Sequence, residues 1–274
     1  RRHDKDPEKR EAAIARHKTL RNLCKELGAF YLTRANNEHA KAGNLNAALK
    51  LTRGDLVLIL DADHVPTRDI LERTVGYFSR DQRLFLVQTP HFFINPDPME
   101  RNLGTFKVMP NENEMFYSAI QNGLDVWQAS FFCGSAAVMR REHLSLIGGI
   151  SGDTITEDAE TALTLHSLGL HSAYVQRPMI AGLAPETLSG FITQRMRWAQ
   201  GMAQLFLLKN PMRIKGLTLG QRLCYLNSIA FWFFPFARIM FILSPILYLF
   251  FGISVFETTA AEFLAYSAPH VLSS

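Results

Sequence analysis

The sequence predicts an α/β fold in which a mostly parallel sheet is covered by helices and followed by interfacial helices and a transmembrane helix. Three observations carry this. Short apolar runs at 54–60, 84–88, 136–139 and 171–175 alternate with stretches of helical spacing, the pattern of a sheet with helices on its faces. The run Leu56-Val57-Leu58-Ile59-Leu60 is apolar throughout, as in a strand buried on both faces, and it ends in two carboxylates, Asp61 and Asp63. Last, residues 1–110 are charged and mixed whereas 226–256 are almost wholly apolar. The mean hydropathy of +0.00 therefore averages two unlike regions.

In chain order, residues 8–27 alternate charges around Ala13, Ile14, Leu20, Leu23 and Leu27, an amphipathic helix stopped by Gly28. Ala29–Thr33 reads as a short strand and Lys41–Leu51 as a helix through Ala42, Leu45, Ala48 and Leu49. Pro66-Thr67 opens a helix that runs to Phe78, with Thr67 as its N-cap, and Leu84–Gln88 is a further strand. Residues 90–114, rich in Pro and Asn, are expected to wrap the surface. Met115–Trp127 is helical in pattern, and Phe131-Phe132-Cys133-Gly134-Ser135 leads into a strand at Ala136–Met139. Thr154-Ile155-Thr156-Glu157 has the form of a capping box, Thr154 answering Glu157, for a helix that stops at Gly169. His171–Val175 is the last strand, and a helix from about Pro185 to Leu208 carries Gln194, Arg195, Arg197 and Trp198. The expected organisation is a globular unit at 1–184, amphipathic interface helices at 185–225, a membrane segment at 226–256, and the start of a following loop or span at 257–274.

In the tail, Ile239–Val255 offers about 17 apolar residues, near the lower limit for a bilayer core of roughly 30 Å, and Ile229–Phe236 adds length. Pro235 and Pro245 would kink it, and Arg238 would snorkel to the headgroups. A buried core helix is the competing interpretation. The net charge of +4 is mild, and Lys209, Arg213, Lys215, Arg222 and Arg238 lie just before or inside the apolar tail. Basic residues there suit anionic lipid on a cytoplasmic side, so no nucleic-acid partner is called for. Cys24, Cys133 and Cys224 form an odd, widely spaced set without metal-ligand spacing, which fits a reducing compartment. Arg1-Arg2-His3-Asp4 is polar and has no initiator Met, so the chain is expected to be a segment of a longer membrane protein.

Four features could carry chemistry. Asp61 and Asp63, spaced i, i+2, point to one side of an extended segment. Paired hard oxygens at a strand end suit Mg²⁺ or Mn²⁺ with a substrate's phosphates, although the same residues could cap the next helix. Glu157-Asp158 at a helix start are either dipole-complementing caps or working acids. Gln194, Arg197 and Trp198 share a helix face that presents a donor, a diphosphate-binding fork and a flat apolar plate. The alternative is an amphipathic helix whose Arg and Trp rest at a membrane interface. Phe131–Ser135 serves equally well as strand core.

Asp61-Ala62-Asp63, Thr156-Glu157-Asp158 and Gln194-Arg195-Met196-Arg197-Trp198, in that order ahead of a membrane segment, resemble the D-x-D, T-E-D and Q-x-x-R-W motifs of processive family 2 glycosyltransferases. With Phe131-Phe132-Cys133-Gly134-Ser135, His39-Ala40-Lys41-Ala42-Gly43-Asn44 and Gln88-Thr89-Pro90-His91-Phe92-Phe93, the resemblance narrows to bacterial cellulose synthase catalytic subunits and covers nearly the whole chain. It implies a GT-A-like fold and transfer of glucose from UDP-glucose to the 4-hydroxyl of a growing β-1,4-glucan, with inversion. Asp61 and Asp63 would hold UDP and Mg²⁺ (or Mn²⁺), and Asp158 would be the general base. Gln194 and Arg197 would grip the diphosphate, and Trp198 would stack on the acceptor glucose. Lys41 and His64 would lie near the nucleotide, with Glu157, Tyr117 and Cys133 along the acceptor site.

The resemblance further implies membrane lipid, a cellulose chain and a periplasmic accessory subunit as partners. It implies a multi-pass protein of the bacterial inner membrane with its catalytic part cytoplasmic. Cyclic-di-GMP would act only on the full-length protein, through a domain past Ser274, and a uridine-binding aspartate motif would precede Arg1. The segment alone is expected to be inactive. Chitin, hyaluronan and mixed-linkage glucan synthases share the three short motifs and form the nearest alternative. The intact Asp61, Asp63, Asp158 and Arg197 argue against a non-catalytic membrane subunit.

Overall fold

Two sheets organise the computed structural model, which describes residues 6–34, 36–254 and 257–273. The larger contains β1 (Leu56–Ile59), β5 (Ala137–Arg140), β3 (Leu84–Gln88) and β6 (His171–Tyr174), in the order β1-β5-β3-β6. The smaller contains β2 (Val65–Pro66), β7 (Ile180–Gly182) and β4 (Phe92–Phe93), in the order β2-β7-β4. Helices cover these sheets, as the sequence predicts, but the strand directions are mixed. β5 runs antiparallel to β1 and β3, with Ala137 opposite both Ile59 and Gln88, whereas β3 and β6 are parallel. In the smaller sheet β7 is antiparallel to β2 and parallel to β4. An apolar run shows that a strand is buried but not which way it points, so an expectation of mainly parallel pairing was not fixed by the pattern.

The core explains which runs became strands. Every residue of β3 is buried, and Phe85 and Leu86 pack with Phe132, Met139, Leu163 and Leu165. β1 is half-buried at one edge of its sheet among the described residues, rather than covered on both faces. Ala29–Thr33 forms no strand; it is irregular chain after α1 (Pro7–Glu26). α2 (Ala40–Leu51) follows. α3 (Ile70–Arg80) starts later than the sequence suggests, because Pro66 belongs to β2 and Thr67 N–H donates to Met179 O at 2.8 Å. Asp69 occupies the N-cap position without capping, its carboxylate being paired with Arg73.

Residues 90–114 do more than wrap the surface. They supply β4 and α4 (Pro98–Leu103), where Asp97 and Glu100 form a capping box and Pro98 and Glu100 are buried. α5 (Glu112–Met115), a π-helical turn (Phe116–Ile120) and α6 (Gln121–Val126) then run in succession. α7 (Arg141–Leu146) leads towards α8 (Glu157–Ser167). The expected pairing of Thr154 with Glu157 is not made: Thr154 donates its N–H and hydroxyl to Glu160, at 2.8 and 3.0 Å.

α9 (Leu188–Leu208) is followed by α10 (Leu219–Ala230), a 3₁₀ turn (Phe231–Phe233) and α11 (Phe234–Phe251). Leu219–Phe251 forms one 33-residue helical run whose most apolar window has a mean hydropathy of 1.8 and no buried residue. That length and composition suffice to cross a bilayer; Tyr225 and Ile229 in α10 pack into the core, whereas α11 has no buried residue. Val255 and Phe256, at the end of the expected 226–256 segment, lie outside the described residues, and α12 (Ala260–Ser273) follows.

Candidate active site

The chain leaves β1 into a turn, closed by His64 N–H donating to Asp61 O at 3.1 Å. Asp61 and Asp63 are therefore not in the extended geometry that i, i+2 spacing assumes, yet both line one cavity of about 1180 Å³. Lys41, in the first turn of α2, forms an ion pair with Asp61 and donates to Gly134 O at 2.6 Å. It is placed by a non-glycine left-handed turn, with φ of 54° at His39 and 38° at Ala40. Such a conformation is strained for L residues, and the Arg34 guanidinium holds it by donating to the Glu38 and Ala40 carbonyls.

Ser135 ties this wall together. Its buried hydroxyl accepts Asp61 N–H at 2.8 Å and hydrogen-bonds His64 Nδ1 at 2.7 Å. The Ser135 carbonyl meets His91 Nε2 at 3.0 Å. A carbonyl only accepts, so His91 carries its proton on Nε2, which leaves Nδ1 to accept the Tyr117 hydroxyl proton at 2.8 Å. Burial, the largest influence, pushes His91 down to about 4, so the ring is neutral near pH 7. Burial also raises Tyr117 and Cys133 well above their usual values, so both remain protonated in the cavity wall. Cys133 Sγ receives Gln121 Nε2–H at 3.2 Å.

Asp158 stands in the first turn of α8 and accepts Ala159 N–H at 2.8 Å. Burial, and then the neighbouring Glu157 charge, push its carboxyl up to about 7; the Ala159 N–H and Lys41 act against the shift. Gly134 lets the two arms meet. With φ of +83°, it leaves room where a β-carbon would lie 3.2 Å from Asp158 Oδ2 and 3.7 Å from Lys41 Nζ. A carboxylate poised near neutrality in a cleft is suited to proton abstraction.

The opposite wall comes from α9 and the membrane-type helix. Gln194, Arg197 and Trp198 line the cavity, and the Trp198 ring lies 6.3 Å from Trp232 in an edge-on arrangement. Arg195 lies over Phe191 at 4.8 Å and Trp198 at 5.5 Å, and forms an ion pair with Glu112. All the residues singled out from the sequence, namely Lys41, Asp61, Asp63, His64, Tyr117, Cys133, Glu157, Asp158, Gln194, Arg197 and Trp198, line this one cavity. Sequence reasoning gave no separate role to Ser135, His91, Glu112, Arg195 or Trp232. Ser135 and His91 did stand in the quoted motifs, which was a usable signal; Glu112 carried none.

Among the described residues no group of three His, Cys, Asp or Glu side chains could hold a metal alone. The donor set nevertheless fits Mg²⁺ or Mn²⁺, which take one or two carboxylates and complete their shell with substrate phosphates and water. Asp61 and Asp63 supply two hard-oxygen side chains on the cavity wall, and Lys41 balances Asp61.

The family model described as glycosyl transferase family group 2 matches residues 56–270. The chain is 51% identical over 259 residues to the cellulose synthase catalytic subunit [UDP-forming] of Pseudomonas fluorescens (strain SBW25), covering 94% of this chain and 35% of that protein. It is 52% identical over 225 residues to the protein of the same description from Xanthomonas axonopodis pv. citri (strain 306), covering 82% and 31%. The chain thus spans about a third of the length of the curated relatives it matches. Among solved structures, a mannosyltransferase, PcManGT from Pyrobaculum calidifontis in complex with GDP-Man and Mn²⁺, superposes with a TM-score of 0.57 at 22% identity. The match covers 96% of this chain and 68% of that one, and shows a shared GT-A-like fold.

Proposed function

From the premise that this chain belongs to glycosyl transferase family group 2, we propose that it carries the active site of a processive, inverting cellulose synthase that uses UDP-glucose. The observation that carries the proposal is Asp158, raised to about 7, in one cavity with the Asp61/Asp63 pair and the Trp198 plate. Asp61 and Asp63 are the residues that would hold Mg²⁺ or Mn²⁺ beside the donor diphosphate, and Lys41 and His64 flank the nucleotide. The bound metal supplies Lewis-acid stabilisation of the leaving diphosphate. Gln194 and Arg197 grip that diphosphate, Arg197 through a charge-assisted fork.

Trp198 offers its face to the acceptor glucose, with Tyr117, Cys133 and Glu157 along its flank. Asp158 takes the proton of the acceptor 4-hydroxyl as that oxygen bonds to the donor's anomeric carbon. The bond from that carbon to the diphosphate breaks, and UDP leaves with the electron pair. One displacement inverts the centre, so an α-linked donor gives a β-1,4 linkage. A single base suffices, because the leaving group departs as an anion.

The cavity reaches Phe231, Trp232 and Phe234 of the membrane-type helix, which supports delivery of product towards the bilayer. We place the catalytic part on the cytoplasmic face of the bacterial inner membrane, in a multi-pass protein with lipid around Leu219–Phe251. Sequence resemblance supports cyclic-di-GMP control and a periplasmic accessory subunit for the full-length protein.

The test is polymer synthesis by membranes containing the full-length protein, with Mg²⁺ and activator, from labelled UDP-glucose or UDP-N-acetylglucosamine. Polymer from UDP-glucose that a β-1,4-glucanase digests is expected. Polymer from the amino sugar alone would transfer the protein to a chitin- or hyaluronan-type synthase, and no polymer from either donor would overturn the enzymatic assignment.

A further inference from the structure

The loop that delivers Asp158 is fastened to the helix that carries Trp198, and an ion pair between the buried Glu160 and the partly exposed Lys209 closes the fastening. The first part of α9 faces the cavity. Further along, Gly201, Gln204, Leu205 and Lys209 recur at helical spacing, and Gly201, Gln204 and Lys209 meet residues 153–160. At Gly201 a β-carbon would lie 2.5 Å from Thr156 Cγ2 and 2.7 Å from Thr156 N, so only glycine admits this approach. Gln204 Oε1 accepts Ile155 N–H at 2.9 Å. Lys209, the C-cap residue of α9, reaches Glu160 Oε1 at 2.6 Å and Asp153 Oδ2 at 3.5 Å.

Glu160 is fully buried in α8, two residues beyond Asp158, and its other oxygen accepts both the N–H and the hydroxyl of Thr154. Neither Glu160 nor Lys209 lines the cavity. An ion pair with one buried partner is a weak source of stability compared with apolar packing, but it can fix the arrangement of the elements it joins. Here that arrangement joins the start of the base-bearing helix to the end of the acceptor-bearing helix.

We infer that Glu160 and Lys209 are positioning residues: their pair sets the register of α8 against α9, and with it the distance from Asp158 to a sugar lying on Trp198. The inference rests on the transferase function proposed above. None of the proposed donor contacts, Lys41, Asp61, Asp63, His64, Gln194 and Arg197, lies on α8, so loosening the pair displaces the base relative to them while leaving donor binding intact. A displacement of about 1 Å between reacting groups lowers turnover by up to about a hundredfold.

The experiment measures UDP-glucose turnover by the full-length protein in membranes, normalised to retained protein, for Lys209→Met, Lys209→Arg and the double variant Glu160→Gln/Lys209→Met. The double variant leaves no unpaired buried charge, so it separates loss of register from failure to fold. Expected are a kcat at least about tenfold lower for Lys209→Met and for the double variant, a donor KM within about twofold of wild type, and recovery of most turnover in Lys209→Arg. Wild-type kcat in the single or double variant, or kcat and donor KM lost together, would overturn the inference. So would absence of both variants from the membrane, which would make the pair a folding requirement only. Asp158→Asn, assayed alongside, separates the two levels: full activity there would remove the base assignment itself, whatever Lys209 does.

Discussion

The two walls of the cavity are built on different principles. The wall carrying Lys41, Asp61, His64 and Ser135 is fixed by short polar contacts, many of them to backbone. The wall carrying Arg195, Trp198 and Trp232 is fixed by rings, a stacked guanidinium and helix packing. Hydrogen bonds and ion pairs are directional and hold one geometry, whereas apolar contact is non-directional and tolerates sliding. A donor that must be seated identically in every cycle suits the first wall, and a polymer that must advance after each addition suits the second. Asp158 stands where the walls meet, which makes it the sharpest place to break the comparison.

Asp158→Asn keeps shape and removes the base. Turnover should fall by at least about a thousandfold, within the range general-base catalysis supplies, with the donor KM little changed. Wild-type activity should itself depend on pH. With the Asp158 carboxyl raised to about 7, the ionised base is lost as pH falls, so kcat/KM should drop about tenfold per unit below pH 7 and level off above it. Stability should move the opposite way. A raised carboxyl favours the protonated fold, so this contribution is present below the ordinary carboxylate range and is lost as pH rises through about 7. At pH 8, Asp158→Asn should therefore melt above wild type while remaining inactive. Equal melting and a flat activity profile between pH 6 and 8 would show that Asp158 is not held in this way.

The division between walls also explains what was legible in the sequence. Asp61, Asp63, Asp158, Gln194, Arg197 and Trp198 were readable because short local patterns carry them, and the helices around them followed from apolar spacing. Strand direction was not readable: β5 carries the same apolar signature whichever way it runs, and β4 and β7 are too short to show any period. Thr154 had the capping sequence but found the buried Glu160 instead of Glu157, so tertiary packing overrode a local signal. Ser135 acts on Asp61 across 74 positions, and Arg195 meets Glu112 across 83. No local pattern reports such a contact.

Ser135→Ala tests the polar wall. It removes the acceptor of Asp61 N–H and the partner of His64 Nδ1 inside a buried site. An unsatisfied buried group costs about 1–3 kcal/mol, so the donor KM should rise about tenfold, with kcat reduced less than threefold. Titration of Mg²⁺ or Mn²⁺ should show the same weakening, because the turn carrying both carboxylates loses its anchor. A fall in kcat at unchanged donor KM would place Ser135 functionally on the acceptor side.

Arg195→Met tests the apolar wall and should have the smallest effect. Methionine keeps an unbranched, flexible side chain beside Phe191 and Trp198 but removes the cation above the indole and the partner of Glu112. A cation stacked on an aromatic ring contributes about 0.5–1 kcal/mol at a partly open site, so kcat should fall about two- to fivefold and the donor KM should hold. Lysine is not an equivalent replacement, because the planar guanidinium stacks on both rings while engaging Glu112, whereas an ammonium is a point charge. Arg195→Lys should therefore fall between wild type and Arg195→Met. If Arg195→Met instead raised the donor KM with kcat unchanged, the guanidinium would be acting on the diphosphate beside Gln194 and Arg197 rather than supporting the Trp198 plate.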